Sequence, residues 1–252
     1  MATQDAPIHR RPYRLRTAEL EGDGRASTVG LCGLIQESAN LHAHELGASL
    51  EHLATQNLTW FLSRLQLRFE GRPSWRETVT VETWPSAIES LFAVRDFRWF
   101  GENGNVLGLG TSHWILIDTN RRRPIRRLPP FLLEVHPKKS FRALPEEPGR
   151  WSDSWSSPAS WVEEAHLRVR RSDLDLNRHL NSVTQIEMLL EATPEDHFGK
   201  GMSELVVEFK SEGHLGERLL ARSGPTEDTE IWSFELAEES TGRLVARAKV
   251  HG

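Results

Sequence analysis

Residues 171–191 read RSDLDLNRHLNSVTQIEMLLE, and this stretch decides how the second half of the chain is interpreted. Five side chains that bind protons or form hydrogen bonds occupy every second position: Asp173, Asp175, Asn177, His179 and Asn181. In an extended segment, side chains two residues apart point the same way, so these groups are predicted to converge. An amphipathic helix then begins, and the free N–H groups of its first turn favour negative charge. The pattern predicts a polar site at the start of a helix.

An acid, an amide and an imidazole at this spacing suit acyl transfer. Acyl transfer to water needs an attacking water, a base and a hydrogen-bond donor for the carbonyl oxygen. His179 can be the base near neutral pH, and Asn177 can donate to the carbonyl or hold the water. Asp175 can orient either group or attack directly. The alternative is an Asx-rich loop that only caps the helix, and we expect Asn181 and Ser182 to act as caps.

The same residues resemble a known family. The D-x-N-x-H run at 175–179, the HLNS at 179–182 and the helix ending LLEATP are similar to the acyl-acyl carrier protein (acyl-ACP) thioesterases of plant plastids and their bacterial relatives. Three stretches of the first half are similar to that family in the same order: LIQESANLHAHELG (34–47), LTWFLSRLQLRF (58–69) and RPSWRETVTVETWP (72–85). The resemblance covers most of the chain, and the order and spacing of the pieces carry it.

This resemblance implies hydrolysis of fatty acyl-ACP to free fatty acid and holo-ACP, which ends chain elongation in fatty acid biosynthesis. It adds Glu212 to the catalytic residues Asp175, Asn177 and His179, because the family carries a glutamate in a strand after the catalytic helix. A cysteine often follows that glutamate, but Gly213 stands here. A carboxylate-based mechanism is therefore favoured over a thiol nucleophile. Acyl-CoA hydrolysis on the same fold, a hotdog hydratase or dehydratase, and a non-catalytic acyl-binding protein are the alternatives.

Two further residue sets are candidates for binding. Acyl chains need an apolar pocket, and the family places it in the first half, where the strands carry Trp60, Trp84, Trp99 and Trp114. Ordinary core packing is the alternative for each. Acyl carrier proteins are acidic, so basic side chains near the site would steer them. Arg178 lies inside the motif and is the strongest candidate, with Arg168, Arg170 and Arg171 close to it in sequence. A run in the predicted linker is a further candidate, for which a solvated loop is the alternative: Arg121, Arg122, Arg123, Arg126 and Arg127.

Composition limits the class of protein. The 252 residues are 38% apolar and 27% charged, and the net charge of −5 argues against nucleic-acid binding. No apolar run of 18 residues predicts a membrane span, and the N-terminus lacks the apolar segment of a secretory signal. The one cysteine, Cys32, is predicted to be a buried helix residue, which fits a reducing cytoplasm. A monomer with an internal pseudo-dimer and a homodimer are both compatible with the sequence.

Absent motifs exclude other chemistries. No G-x-S-x-G is present, which excludes the α/β-hydrolase type of thioesterase at the level of motifs. No histidine or cysteine spacing supports a metal site, and Gly108-Leu-Gly110 lacks the third glycine of a dinucleotide fingerprint. We therefore expect no cofactor and no metal.

The chain shows the same plan twice, a strand, a helix and four strands. In the first half, Tyr13–Leu20 is the predicted opening strand, and the helix runs from a Ser27 cap to about Leu46, with Gly47 at its end. The four strands are predicted at 64–70, 78–84, 91–100 and 106–117, the last two joined by a turn at 101–104.

The second half repeats this plan. A strand is predicted at 165–171, a helix from Ser182 to about Ala192, and strands at 204–210, 218–223, 230–236 and 243–251. This order predicts an α+β fold, and the family resemblance makes it a tandem hotdog, in which a long helix is wrapped by an antiparallel sheet. We expect residues 1–120 to form an N-terminal hotdog that holds the acyl pocket. Residues 121–160 are the predicted linker, with one short helix near Pro129–Val135. Residues 161–252 are the predicted catalytic hotdog.

Overall fold

The computed structural model describes residues 7–135, 140–144, 155, 158–194 and 201–252. Contacts divide the chain into two compact units, Met1–Pro145 and Glu146–Gly252. Each unit has the predicted plan of one main helix and an antiparallel sheet.

The first unit is built on a long helix, α1 (Thr28–Glu45), which packs against strands β1 and β3. Its sheet has the strand order β1-β3-β4-β5-β2, and every neighbouring pair is antiparallel. The other elements are β1 (His9–Arg14), α2 (Leu50–Ala54), β2 (Leu58–Phe69), β3 (Thr78–Glu89), β4 (Phe92–Phe100), β5 (Val106–Asp118), β6 (Arg123–Pro124) and α3 (Pro130–Val135).

The ends of α1 are where its sequence predicts them. The Ser27 hydroxyl accepts from the N–H of Gly30 and caps the first turn. At the other end, Gly47 adopts φ +66°, a conformation that costs glycine little. The helix buries one face, with Leu31, Leu34 and other apolar side chains in the core of the unit.

The predicted opening strand at Tyr13–Leu20 is wrong in its limits. The strand β1 ends at Arg14, and Thr17–Glu19 forms a 3₁₀ turn. This turn is stabilised because the Glu19 carboxylate accepts from the Arg16 backbone N–H at 2.7 Å and from the Arg16 guanidinium at 2.6 Å. A side chain that bonds the backbone three residues away competes with strand geometry.

Residues assigned to the linker from the sequence contain ordered elements. The helix predicted near Pro129–Val135 is confirmed as α3, and β6 pairs with β5. Residues 140–144 lie along the first-unit sheet: Ser140 N–H donates to the Ser86 carbonyl, and Arg142 pairs with the buried Asp96 at 2.9 Å. The rest of the predicted linker lies largely outside the described residues.

The second unit repeats the first in strand order. Its sheet runs β8-β11-β10-β9-β7, which corresponds strand for strand to β2-β5-β4-β3-β1. The core lies between α4 and this sheet, around Ile186, Leu189 and Phe234. The elements are β7 (Glu163–Arg168), α4 (Ser182–Leu190), β8 (Glu204–Phe209), β9 (Arg218–Pro225), β10 (Ile231–Glu238) and β11 (Leu244–His251).

The second opening strand was also predicted too long. It ends at Arg168, and Arg171–Asp173 forms a 3₁₀ turn before the motif. Among the described helices, none is long and apolar enough to cross a membrane.

Candidate active site

The D-x-N-x-H motif forms a tight closed loop and not the extended segment expected from its alternation. Leu174 and Leu180 form an isolated antiparallel bridge at its base. The Asp175 N–H donates to the His179 carbonyl at 2.8 Å, and the Arg178 N–H donates to the Asp175 carbonyl at 3.0 Å. Arg178 adopts φ +64° at the turn. Backbone hydrogen bonds therefore close the loop that carries Asp175, Asn177 and His179.

Asp175 holds this loop from within. Its Oδ1 accepts the backbone N–H of Asn177 at 2.8 Å and that of His179 at 3.0 Å. The carboxylate therefore fixes the backbone from which both other motif side chains project. This geometry favours the orienting role for Asp175 over direct attack.

His179 lies beside Glu212, as the resemblance implies. Its Nδ1 is 3.4 Å from Glu212 Oε1, and the two side chains are 34% and 49% exposed. Glu212 lies in the loop between β8 and β9, and the Leu180 N–H donates to the Gly213 carbonyl at 2.8 Å. That backbone bond joins the glutamate loop to the motif loop, so the pair is held by the fold.

Asn177 projects from the exposed tip of the motif loop. Among the described residues, no group forms a hydrogen bond with its side-chain amide, although its backbone N–H is bound to Asp175. Its neighbour Leu176 is 88% exposed. The amide is therefore free to donate to a bound molecule.

The helix α4 begins directly after the loop. Asn181 is its N-cap, as expected, and its Oδ1 accepts from the Val183 N–H at 2.8 Å. Ser182, for which a capping role was also expected, is the first residue of the helix instead. The loop and the helix start are linked again by Gln185, whose Nε2 donates to the Leu180 carbonyl at 3.0 Å.

Asp173, the first member of the alternating pattern, is not part of the site. It is only 3% exposed and binds Arg170, whose backbone N–H donates to Oδ2 at 2.7 Å and whose guanidinium lies 3.1 Å from Oδ1. Burial favours the protonated acid, but the hydrogen bonds from Arg170 and Ser172 outweigh it and hold the pKa of Asp173 below its usual value. Asp173 stabilises the turn that leads into the motif.

His214 is a further member of the site that the sequence analysis missed. Its ring meets the His179 ring edge to face, with centroids 5.4 Å apart. The signal was its position two residues after Glu212, in a loop already assigned to the site.

Gly213 replaces the cysteine that the family often carries, and space is limited there. A Cβ at this position would lie 3.0 Å from both Cβ and Cδ2 of Leu180. Leu180 directly follows His179, so a side chain at 213 would press on the motif loop. Cys32, the one cysteine, lies buried in α1 of the other unit, and burial raises the pKa of its thiol to about 12.

The first unit contains the same loop at positions 154 residues earlier. Leu20 and Ala26 form the bridge, Glu21 N–H donates to the Arg25 carbonyl at 2.8 Å, and Gly24 N–H donates to the Glu21 carbonyl at 2.9 Å. Gly24 has φ +77°, close to that of Arg178. The two halves therefore share one backbone framework before their helices.

The chemistry of this first-unit loop is different. Ala26 N–H donates to the Pro73 carbonyl as Leu180 N–H donates to the Gly213 carbonyl, which makes Arg72 the counterpart of Glu212. The Arg72 guanidinium pairs with Glu21 at 2.6 Å and with Asp23 at 3.3 Å. An arginine, Arg25, also replaces the histidine. Ion pairs fill this loop, and it has no neutral base.

The four tryptophans predicted for the acyl pocket lie on two faces of the first-unit sheet. The face towards α1 is marked by Arg95, which bonds His42 of α1 at 3.0 Å and Thr83 at 3.2 Å. Trp84 follows Thr83 and so points to the opposite face. There its Nε1 donates to the Phe141 carbonyl at 3.0 Å, and the two rings stack 4.3 Å apart. Trp84 thus packs under the segment that follows α3.

The other three tryptophans differ in burial. Trp99 is fully buried and packs so closely on Gly108 that no Cβ would fit there. Trp114 is half-buried. Trp60 is also half-buried, donates to the Ala48 carbonyl at 3.0 Å and packs on a cluster around α2 and α3. Trp60 and Trp114 are therefore the two with side-chain surface left for an acyl chain.

Exposed basic side chains lie in the motif loop and on strands β7 and β9. Arg178 is exposed at its tip, and Arg168 lies opposite Arg218 on the neighbouring strand. Arg171 is also exposed, whereas Arg170 is engaged by Asp173. Within the described residues, none of Arg168, Arg171, Arg178 and Arg218 has an ion pair. The arginines of the predicted linker belong to the first unit and are all exposed: Arg121, Arg122, Arg123, Arg126 and Arg127.

Both units match models of known protein families. The family model described as the acyl-ACP thioesterase N-terminal domain matches residues 7–134, and the one described as the C-terminal domain matches residues 157–251. Oleoyl-ACP thioesterase 1, chloroplastic, from Arabidopsis thaliana is 27% identical over 210 residues. That match covers 77% of this chain but only 57% of the plant protein's length.

Two solved structures share the fold over nearly the whole chain. An acyl-ACP thioesterase from Bacteroides thetaiotaomicron has a TM-score of 0.83 and 24% identity, with 97% of both chains covered. The 12:0-ACP thioesterase from Umbellularia californica has a TM-score of 0.84 and 22% identity, with 97% of this chain and 96% of that chain covered. The predicted α+β tandem hotdog is confirmed.

Proposed function

The chain belongs to the acyl-ACP thioesterase family, and on that premise we propose that it hydrolyses fatty acyl-ACP to free fatty acid and holo-ACP. The observation that carries this proposal is the His179–Glu212 pair at 3.4 Å. The loop of His179 also carries Asn177, whose exposed amide no described residue engages. A base, its carboxylate partner and a hydrogen-bond donor are what thioester hydrolysis requires.

In the proposed mechanism, His179 takes a proton from water as that water attacks the thioester carbonyl. The negative Glu212 carboxylate stabilises the imidazolium that forms. Asn177 and the first-turn amides of α4 that Asn181 does not cap donate to the oxyanion. Asp175 holds the loop that carries Asn177. When the tetrahedral intermediate collapses, the C–S bond breaks, and the proton held by His179 passes to the thiolate of the carrier arm.

The two units are proposed to divide the work. The catalytic hotdog, 161–252, carries all four catalytic residues, and its counterpart loop in the first unit is occupied by the ion pairs of Arg72. The N-terminal hotdog, 1–120, is proposed to bind the acyl chain, with Trp60 and Trp114 as the supported candidates among the four tryptophans. A cytoplasmic setting is part of the proposal, supported by a single cysteine held as a buried thiol.

The acyl carrier is proposed to be ACP, recognised through the exposed arginines around the motif. Arg178 lies at the loop tip beside Asn177, so it would meet whatever delivers the thioester. These arginines would attract an acidic carrier protein over about one Debye length, which is about 8–10 Å at ordinary salt. A small thioester lacking the carrier would feel this attraction less.

The direct test is hydrolysis of an acyl-ACP series of increasing chain length, beside acyl-CoA of the same chains. The proposal expects free thiol and fatty acid from acyl-ACP, with a higher kcat/KM than from acyl-CoA, and loss of turnover in the His179→Ala variant. Faster hydrolysis of acyl-CoA would reassign the carrier. Turnover of 3-hydroxyacyl or enoyl thioesters without thiol release would reassign the reaction.

A further inference from the structure

One arginine spans the loop that carries Glu212. Arg243 directly precedes β11, and its Nη1 donates to the Ser211 hydroxyl at 2.6 Å and to the Glu212 carbonyl at 2.7 Å. Its Nη2 donates to Glu217 Oε2 at 2.9 Å. The same Glu217 oxygen accepts the His214 N–H at 3.1 Å. One guanidinium thus ties both ends of residues 211–217 to a central strand.

The first unit has the same loop without this arginine. Glu70 and Gly71 donate to the Leu107 carbonyl as Lys210 and Ser211 donate to the Val245 carbonyl, so the counterpart of Arg243 is Asn105. Within the described residues, Asn105 makes no hydrogen bond to residues 71–77.

The turn itself survives there, because Ser74 N–H still donates to Glu77 Oε2 at 2.8 Å. The arginine is therefore not required to form the turn. It is present in the half that carries Glu212 and His214.

The side chain of Glu212 makes few contacts that could fix its position. It is 49% exposed, and His179 is its one ion-pair partner in the described part of the chain. Where the carboxylate lies is then set by the Glu212 backbone, and Arg243 binds the carbonyl of that residue. A displacement of about 1 Å at a catalytic group can cost about 100-fold in rate.

We propose that Arg243 is a positioning residue, which holds Glu212 within reach of His179. The inference rests on the proposed hydrolysis and extends it to a residue outside the motif. An arginine suits this task because its planar fork donates in several fixed directions at once, whereas a lysine offers a point charge on a flexible stem. Arg243→Lys should therefore restore charge but only part of the function.

A matched control is available in the same sheet. Arg222 is 34% exposed and pairs with Glu235 at 2.9 Å, whereas Arg243 is 36% exposed and pairs with Glu217 at 2.9 Å. Removing either arginine costs one part-exposed ion pair, and removing Arg222 also costs its contact with the Trp161 ring at 4.3 Å. Of the two, only Arg243 bonds the Glu212 loop, so a loss of kcat in Arg243→Ala that Arg222→Ala does not share is due to that contact.

The kinetic test compares these variants on acyl-ACP. Arg243→Ala should lower kcat by about 10- to 100-fold with KM changed less than about twofold, while Arg222→Ala stays near wild type. Adding Arg243→Ala to Glu212→Gln should cost nothing more, since the residue acts through Glu212. Equal kcat in the two arginine variants, an effect confined to KM, or losses that multiply in the double variant would each overturn the proposal.

Amide hydrogen exchange tests the clamp without any turnover. The His214 and Leu180 amides, both bonded through this loop, should exchange faster in Arg243→Ala and remain protected in Arg222→Ala. Unchanged protection would overturn the proposal. If the wild-type chain fails to hydrolyse acyl-ACP, the proposed function falls, and exchange still decides whether Arg243 fixes the loop.

Discussion

Asn177 and Asp23 occupy corresponding positions in the two loops, and replacing each by alanine should separate catalysis from stability. The Asn177 amide has no hydrogen-bond partner among the described residues, and its backbone bond to Asp175 survives the substitution. Asn177→Ala should therefore change the free energy of unfolding by less than about 0.5 kcal/mol. Loss of one oxyanion donor should lower kcat by about 10²–10³-fold, or about 2.7–4 kcal/mol.

Asp23→Ala should do the opposite. Its Oδ1 accepts the Arg25 N–H at 2.9 Å, and its Oδ2 pairs with Arg72 at 3.3 Å, at a side chain that is 50% exposed. Losing one local hydrogen bond and one exposed ion pair should cost about 1 kcal/mol. For a chain of this size, that lowers Tm by about 2–4 °C. Turnover should stay near wild type, because this loop carries none of the proposed catalytic residues.

Both variants are measured in two assays on the same preparations. Steady-state hydrolysis of acyl-ACP gives kcat, and thermal unfolding gives the change in stability. The two variants should therefore rank in opposite order in the two assays. Equal losses of kcat would refute the division of labour between the halves. A kcat within about threefold of wild type in Asn177→Ala would remove that amide from the oxyanion site.

Three further predictions concern the same machinery. His179→Ala and Glu212→Ala should each lower kcat by about 10²–10⁴-fold, and the double variant should be little worse than the worse single; losses that multiply would show independent action. Cys32→Ser should keep its activity, and alkylating reagents should not inactivate the folded protein, since burial raises the pKa of this thiol to about 12; complete inactivation with the fold intact would contradict a carboxylate-based mechanism. Arg178→Glu should raise KM for acyl-ACP more than for a small acyl thioester, as should added salt, and a KM that stays flat up to about 0.5 M salt would remove electrostatic steering.

Much of the fold could be predicted from local signals. Ser27 and Gly47 mark the ends of α1 because capping and a left-handed glycine depend on neighbouring residues alone. The order of the strands in both halves was predicted, but two limits were not. The strand β2 begins at Leu58, before the predicted 64–70, and β3 ends at Glu89, after the predicted 78–84. The opening strands were predicted too long, because the side chains of Glu19 and Asp173 bond the backbone three residues earlier and form 3₁₀ turns. Such bonds leave no period in the sequence.

The site was predictable as a set of residues but not as a geometry. The motif and the resemblance identified His179 and Glu212, which the structure brings to 3.4 Å. Alternation alone grouped Asp173 with them, although it is buried under Arg170. Nothing local in the sequence shows that Arg243, more than 30 residues beyond Glu212, contacts the same loop, because strand register brings them together.

The burial of the lone sulfur at Cys32 also provides a reporter of local opening. In the folded state the Cys32 thiol, which α1 carries, is buried. Its pKa of about 12 leaves almost no thiolate to react. Modification at neutral pH therefore requires the helix to move away from the sheet. When reclosing is faster than labelling, the labelling rate divided by that of a free thiol equals the equilibrium constant for opening. The labelling rate of Cys32 in the wild-type chain can thus report the local stability of the N-terminal unit. Turnover of the same preparation reports on the other unit.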